Sequence, residues 1–435
     1  MTPPEPSSQA AAVEVEASGT VSLDVSSPQR RRVRLPKAFI SFEEPDFRYL
    51  GLSTLALGFG QWAQQIGLAW LALDLTGSAV QLGAISAFRA GVGTLTAPLG
   101  GFIADRYPRR MVIIWSTASS VVQASLLAFL IITGWIELWH VYVLAFAGGV
   151  IQSFTQPARQ AFVYDISTDD TLVNAVAMNS MVQNIARVAA PPLTGAMIAA
   201  WGNGAPFATL AGTQVVAIAL TLLISKRTRQ IPARRGGNAF RQVADGFVAT
   251  WRDRRILGLM IVHTIPTLLV VPYLPFLALV SRDVLGRGAQ GYGALASMAG
   301  WGALLGLGLL AFMGDPRRKG LLMLGCFFVY VSSVLVFAVS RNYALSLLAL
   351  GIGGVFSSVS FALNNTLLQI ASPNEVRGRV MSVWQFTAGL QPLGALPMGI
   401  LIQRYGPALG MGSFMVAALV AFGLFTMAWG SVRRM

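Results

Sequence analysis

The chain has 435 residues, of which 54% are hydrophobic and 11% charged. Soluble domains carry roughly 25% charged residues, so this composition excludes a water-soluble globular protein and calls for lipid around most of the surface. The formal net charge of +14 would suit a nucleic-acid partner, but its placement along the chain argues otherwise.

In chain order, residues 1–47 are rich in Pro, Ser, Ala, Glu and Arg and read as a disordered tail. No cleavable signal peptide is evident, so the first span would serve as an uncleaved targeting signal. Apolar stretches follow near 50–73, 80–104, 111–133, 139–158, 176–200 and 206–225. A second set lies near 256–281, 290–313, 320–340, 343–370, 380–403 and 407–430. Each is about 20 residues long, the length that crosses a bilayer as a helix. Backbone in hydrocarbon must satisfy its own hydrogen bonds, so the expected fold class is all-α. It is an integral membrane protein of about twelve transmembrane helices, in two six-helix bundles over 48–225 and 256–435. Residues 226–255 form a basic linker in which Phe240, Val243, Phe247 and Trp251 recur at helical spacing. That pattern suits an amphipathic helix on the membrane surface, or a linker helix packed against the bundles.

On this map the basic residues fall almost entirely on one side. That side holds Arg30 to Lys37, Arg48, Arg106, Arg109, Arg110, Arg159, the cluster from Lys226 to Arg255, Arg317 to Lys319, Arg377, Arg379, Arg433 and Arg434. The other side has Arg282, Arg287, Arg341 and Arg404. Positive charge marks the cytoplasmic face. The expected partner is therefore the lipid bilayer and not nucleic acid, in a plasma (inner) membrane with both termini cytoplasmic. The single cysteine, Cys326, rules out an intrachain disulfide or a cysteine metal cluster.

The two halves resemble each other. The fifth span ends with Gly195 and Gly202, and the eleventh with Gly399 and Gly406, at a constant offset. Ser167 to Asp170 precedes the fifth span as Ala371 to Glu375 precedes the eleventh. Short basic turns, Asp105 to Arg110 and Asp315 to Lys319, join spans two to three and eight to nine. Two six-helix halves in parallel repeat are typical of transporters that rock one half against the other.

The stretch Gly101-Phe-Ile-Ala-Asp105-Arg106-Tyr-Pro108-Arg109-Arg110 resembles the loop 2–3 motif of the major facilitator superfamily, with Pro108 where a second glycine is usual. The resemblance implies a conformational latch, in which Asp105 docks on the start of the eleventh helix at Arg377, Gly378 and Arg379. Asp315 would be its counterpart near Asn174. Pro157-Ala-Arg159-Gln-Ala-Phe-Val-Tyr-Asp165 and Pro373-Asn-Glu375-Val-Arg377-Gly378-Arg379 look like the drug-efflux branch that includes enterobactin exporters and macrolide efflux proteins. Pro191-Pro192-Leu-Thr-Gly195 stands where that branch often has a Gly-Pro exporter motif, which favours export over import.

Ionisable groups inside a span are costly and mark candidate sites. Arg89, Arg187 and His263 lie mid-span, and no Asp or Glu lies deep in any expected span. Asn179, Gln183 and Arg187 share one face of the fifth helix by their spacing of four. Gln61, Gln64 and Gln65 share a face of the first, and Gln152 and Gln156 one of the fourth. Asn364, Asn365 and Gln369 mark the tenth, and Gln385 and Gln391 the eleventh. In the family these helices line a central cavity. The amides therefore face a polar pathway or, alternatively, bond between helices. Trp62, Tyr273, Tyr292, Trp301 and Trp384 are candidates for stacking on a substrate.

Arg89 and Arg187 either draw an anionic, siderophore-like substrate or hold helix carbonyls. The leading expectation is a secondary transporter, not an enzyme, exporting small amphiphilic drugs or siderophores in exchange for protons, as a monomer. Uptake of an organic anion and a non-transporting scaffold are the alternatives. His263 has an intrinsic pKa near 6.5, in the range for carrying protons; the alternative is a hydrogen-bonding core residue, with Asp165 or Asp105 serving at the inner mouth. No phosphate-binding glycine loop is present, and with His140 and His263 far apart no metal site or cofactor is expected.

Overall fold

The computed structural model describes residues 45–167, 171–225, 246–248, 250–314, 316 and 318–429, without the side chains of Asp105, Val173 and Pro392. The tail before residue 45, most of the linker (226–245), Asp315 and Arg317 lie outside the described residues. Within them every regular element is a helix. The first six are α1 Pro45–Thr76, α2 Ala79–Arg106, α3 Arg109–Ile132, α4 Leu138–Ile166, α5 Leu172–Trp201 and α6 Ala205–Leu223. The second set comprises α7 Arg254–Val284, α8 Gly288–Met313, α9 Lys319–Val339 and α10 Tyr343–Ala371. After these, α11 starts with Asn374–Gly389 and resumes over 395–405, and α12 covers 407–428. Eight of the described helices are long and apolar enough to cross a membrane. Those that fall short in apolar character, α1, α2 and α5, carry amides and the mid-span Arg89 and Arg187, while Asn374–Gly389 falls short in length, at 16 residues.

Several boundaries differ from expectation. Pro45 to Phe47 belong to α1 rather than to the tail, because Phe47 is buried in a core with Ala104, Ala158 and Phe162. The fourth helix runs to Ile166, since its last turns bury Phe162, Val163 and Asp165. Two expected spans are broken. In α7 the helix stops at Leu269, passes through a 3-10 turn at Val271–Phe276 and a π turn at Val280–Val284. Pro272 and Pro275 remove the backbone donors a continuous helix needs there. In α11 a 3-10 turn at Gln391–Gly394 interrupts the helix. The breaks abut, because a side chain at Gly394 would meet the Leu268 carbonyl and the Pro272 ring. Of the linker, residues 246–248 and 250–252 are helical, and Gly246 lies against the Arg379 backbone. This segment packs on α11 through Gly246 and leaves Val248 and Trp251 exposed.

The helices gather into two groups. Helix α1 packs on α5 and α6, α2 on α4, and α3 on α4 and α6; α10 packs on α8 and α9. The groups meet through α2 with α11 and α5 with α8. We call the end where α1 begins the near end and the opposite one the far end. Contacts tie the near ends of α1 and α6 (Ser225 N–H to Asp46, 2.9 Å) and of α3 and α6 (Arg110 to the Leu222 carbonyl, 2.7 Å). Others tie α7 and the end of α12 (Trp429 to the Arg254 carbonyl, 2.9 Å). The starts of α1 and α3 thus lie together with the end of α6, and the start of α7 with the end of α12.

At the far end the groups are clasped by glycine. A Cβ on Gly83 would strike the Ala395 carbonyl, and one on Gly399 the Ala79 carbonyl. A Cβ on Gly293 would strike the Pro191 carbonyl, and one on Gly195 the Ala289 carbonyl. The two pairings are related residue for residue: Ala79 and Gly83 in α2 answer to Ala289 and Gly293 in α8. Pro191 and Gly195 answer to Ala395 and Gly399, with the same spacing of four residues within each pair. Gly202 and Gly406 are also alike, with φ of +80° and +83° at the helix ends they terminate. Such close backbone approach replaces the hydrophobic drive that lipid does not provide.

Candidate functional site

Between the groups lies a cavity of about 1370 Å³. It runs from Ala72, Leu82 and Tyr292 at its far limit to Pro98, Pro157, Gly378 and Phe247 at the near end. Beyond its far limit the halves are closed. Arg282 donates to the Leu73 carbonyl at 3.1 Å and Gln403 accepts from the Ala79 N–H at 2.9 Å, while deeper along α5 and α8 Ser297 donates to the Val188 carbonyl at 2.9 Å. Trp70 stacks on Tyr292 with centroids 6.4 Å apart. Toward the near end, the last described hydrogen bond between the halves is Thr94 to the Gly389 carbonyl, 2.9 Å. The cavity lining continues past that bond to Pro98, Pro157, Gly378 and Phe247.

Its walls are largely apolar, with Gln61, Gln65, Ser86, Thr94, Gln152, Gln385 and Gln391 set among them. Arg89 is the one formally charged residue among the described lining residues. Its Nη2 donates to Gln64 at 3.1 Å and to Gln152 at 3.3 Å, both neutral acceptors. The breaks of α7 and α11 supply Pro272, Leu274 and Pro275 on one side and Gly389 and Gln391 on the other. Irregular backbone at this depth is tolerated where it lines a cavity.

Of the residues expected to line the pathway, Gln61, Gln65, Arg89, Gln152 and Gln391 do so. Gln156 instead lines a smaller cavity inside the first group. Asn179 accepts a hydrogen bond from Thr54 at 3.3 Å, and Gln183 is exposed. Arg187 lies over the Trp62 ring at 5.7 Å and within electrostatic reach of Tyr273 and Tyr330 of the other group. Three expectations are corrected. His263 is buried, stacked on Trp384 at 4.9 Å and edge-on to Phe361 at 5.6 Å. Trp384 is taken up by that stack instead of facing the cavity. Asn364 is fully buried and donates to the Leu259 carbonyl at 2.9 Å. These three sit inside the second group because α7, α10 and α11 turn those faces toward each other. Asn365 and Gln369 bond to each other on the exposed end of α10, and Trp301 is exposed.

Among the expected latch residues, Arg109, Arg110 and Arg377 have described side-chain bonds, each within its own half. Arg109 pairs with the buried Asp165 and also donates to the Ala161 carbonyl. Arg106 lies over the Phe102 ring, and Gly101 has open space around it. Arg377 donates to the Gln369 and Ser372 carbonyls at 3.1 and 3.4 Å, and Arg379 is exposed. The side chains of Asp105 and Asp315 lie outside the described residues. Reading by span missed Phe247, which meets Phe386 edge-on at 6.1 Å in the cavity mouth. It also missed Gln123, whose polarity inside an apolar span was the signal to find it.

The chain matches the family described as transmembrane secretion effectors over residues 37–431. It belongs to that family. It is a membrane transporter of the major facilitator kind and not an enzyme. It is 25% identical to the staphyloferrin A transporter of Staphylococcus aureus, over 82% of this chain and 90% of that protein. It is 24% identical to the enterobactin exporter EntS of Salmonella typhimurium, over 80% of this chain and 82% of that one. The fold matches a bacterial homologue of the lysosomal transporter Spinster, in an inward-facing and unoccupied conformation. That match has a TM-score of 0.70 and 14% identity, over 89% of this chain and 96% of the other.

Proposed function

We propose that this transporter exports small amphiphilic anions of siderophore type by alternating access, in exchange for protons. The observation that carries the reading is the cavity itself: apolar walls, a ring of amides, and one arginine with no carboxylate among its described lining residues. Such a site suits a molecule with an apolar body and anionic or carbonyl-rich arms, since charge-assisted bonds to a guanidinium are strong. Relatives named for staphyloferrin A and enterobactin point the same way. Basic residues gathered at the near end make that end cytoplasmic by the positive-inside rule. The described cavity then faces the cytoplasm, where an exported cargo is loaded. Asp165, buried at that end and paired with Arg109, is the acid best placed to exchange a proton.

The test is accumulation in inverted membrane vesicles with an acidic interior, comparing an anionic catecholate siderophore with a cationic dye. Siderophore accumulation that collapses with a protonophore, and falls at least tenfold in Arg89→Gln, supports the proposal. Dye accumulation unaffected by Arg89→Gln would replace it with a general drug exporter.

A further inference from the structure

A second cavity lies inside the first helical group, lined by α1, α2, α3, α4 and α6. At about 50 Å³ it is too small for a siderophore. A single water needs roughly 10–15 Å³ by the same kind of measure, so the space fits a group of a few heavy atoms. Its lining is unusual for the interior of a helix bundle, because Arg89 and Arg159 both reach it and no Asp or Glu is among its lining residues.

The hydrogen bonds leave these cations uncompensated. Arg89 uses Nη2 on two glutamine oxygens, while its Nε is buried without a partner. Arg159 makes no described hydrogen bond or ion pair, and no described carboxylate acts on either guanidinium. The Thr117 hydroxyl, in the same lining, is also buried without a partner. Gln156 and Gln214 complete the wall. Neutral amides can accept a bond from a guanidinium but cannot cancel its charge, and a buried charge without a counterion is costly. Three donors converging on one small space, two of them cationic, make an anion site.

We propose that this pocket binds a small anion between Arg89 and Arg159: a free ion of chloride size, or a carboxylate group reaching in from the central cavity. Both sources share one chemistry, a compact negative charge that accepts several N–H and O–H bonds. Entry is past Gln61, Arg89 and Gln152, which line both cavities. The bound anion ties α2 to α4 around the two guanidiniums, and the site is present whatever the cargo or direction of transport.

The experiment is thermal unfolding of the purified full-length protein in detergent at fixed ionic strength, with isethionate as the balancing anion. A ligand that binds the folded state raises the midpoint in proportion to the logarithm of its concentration once above Kd. Chloride and acetate are each expected to raise the midpoint of the wild type. The effect is expected to be lost in Arg159→Gln and reduced at least tenfold in apparent affinity in Thr117→Val, which keeps the volume and removes one donor. Arg159→Lys, which keeps the charge, retains a weakened response, so the test survives if the glutamine variant does not fold. Citrate acting as acetate does would assign the site to a carboxylate on a larger molecule. Citrate without effect beside active chloride would assign it to a free ion. A wild-type midpoint indifferent to chloride and acetate would overturn the proposal, as would an equal response in Thr117→Val and the wild type.

Discussion

Replacing Gly399 by alanine should open the far end. The added Cβ would lie 2.6 Å from the Ala79 carbonyl oxygen and 3.3 Å from the Phe276 ring. The oxygen is backbone in the first turn of α2 and cannot swing aside. Ordinary contact begins near 3.4 Å, so α2 and α11 must part by about 0.8 Å at this point. Overpacking of this kind typically costs about 1–3 kcal/mol, and the cost falls only on the state in which the clasp is closed. A difference of that size shifts a two-state equilibrium by roughly 5–150-fold. Spin labels on Leu75 and Tyr405, both exposed near the far end, would report it as a pulsed-resonance distance distribution in a Cys326→Ala background. We expect a longer-distance population to grow at the expense of the wild-type distance. Gly195→Ala, at the symmetry-related contact with the Ala289 carbonyl, should act in the same direction. Gly212→Ala, where a side chain has open space, should do nothing. An unchanged distribution in Gly399→Ala, or an equal change in Gly212→Ala, would refute the reasoning.

The remaining predictions concern the interior and the mouth. Asp165→Ala leaves Arg109 without its buried partner; removing one member of such a pair typically costs about 3–5 kcal/mol, so the midpoint of thermal unfolding should fall sharply. A midpoint within one degree of wild type would show that water takes over the carboxylate's role. His263→Phe should be neutral or stabilising, because both ring nitrogens are buried without hydrogen-bond partners among aromatic rings. A large loss of proton-driven transport with normal folding would instead make His263 a proton carrier. Phe247→Ala removes the edge contact with Phe386 at the cavity mouth and should speed cargo entry, read as a rise in initial transport rate with little change in stability.

The glycine repeat shows what one dimension can reveal. Gly195 and Gly399 occur at equal positions in the two halves because each holds the same backbone crossing, and the sequence displays the spacing but not the partner. Phe247 is similar: its spacing with Trp251 marked a helix face, yet only packing places that face against Phe386 in the cavity mouth. His263 and Asn364 mark the opposite outcome. Helical periodicity assigns them to a face, but α7, α10 and α11 pack so that this face is interior to one group and not to the cavity.

By itself the sequence determined the all-helical membrane fold and displayed the matched glycine spacing of Gly195 and Gly202 with Gly399 and Gly406. Each follows from the length, charge and spacing of local segments, which the bilayer reads directly. Only the tertiary structure decided which amides face the pathway, where α7 and α11 break, and that Arg89 and Arg159 share a cavity without an acid among its lining residues. Those features depend on the rotation of each helix against neighbours distant in sequence. Close packing of small residues sets that rotation, which hydropathy does not encode.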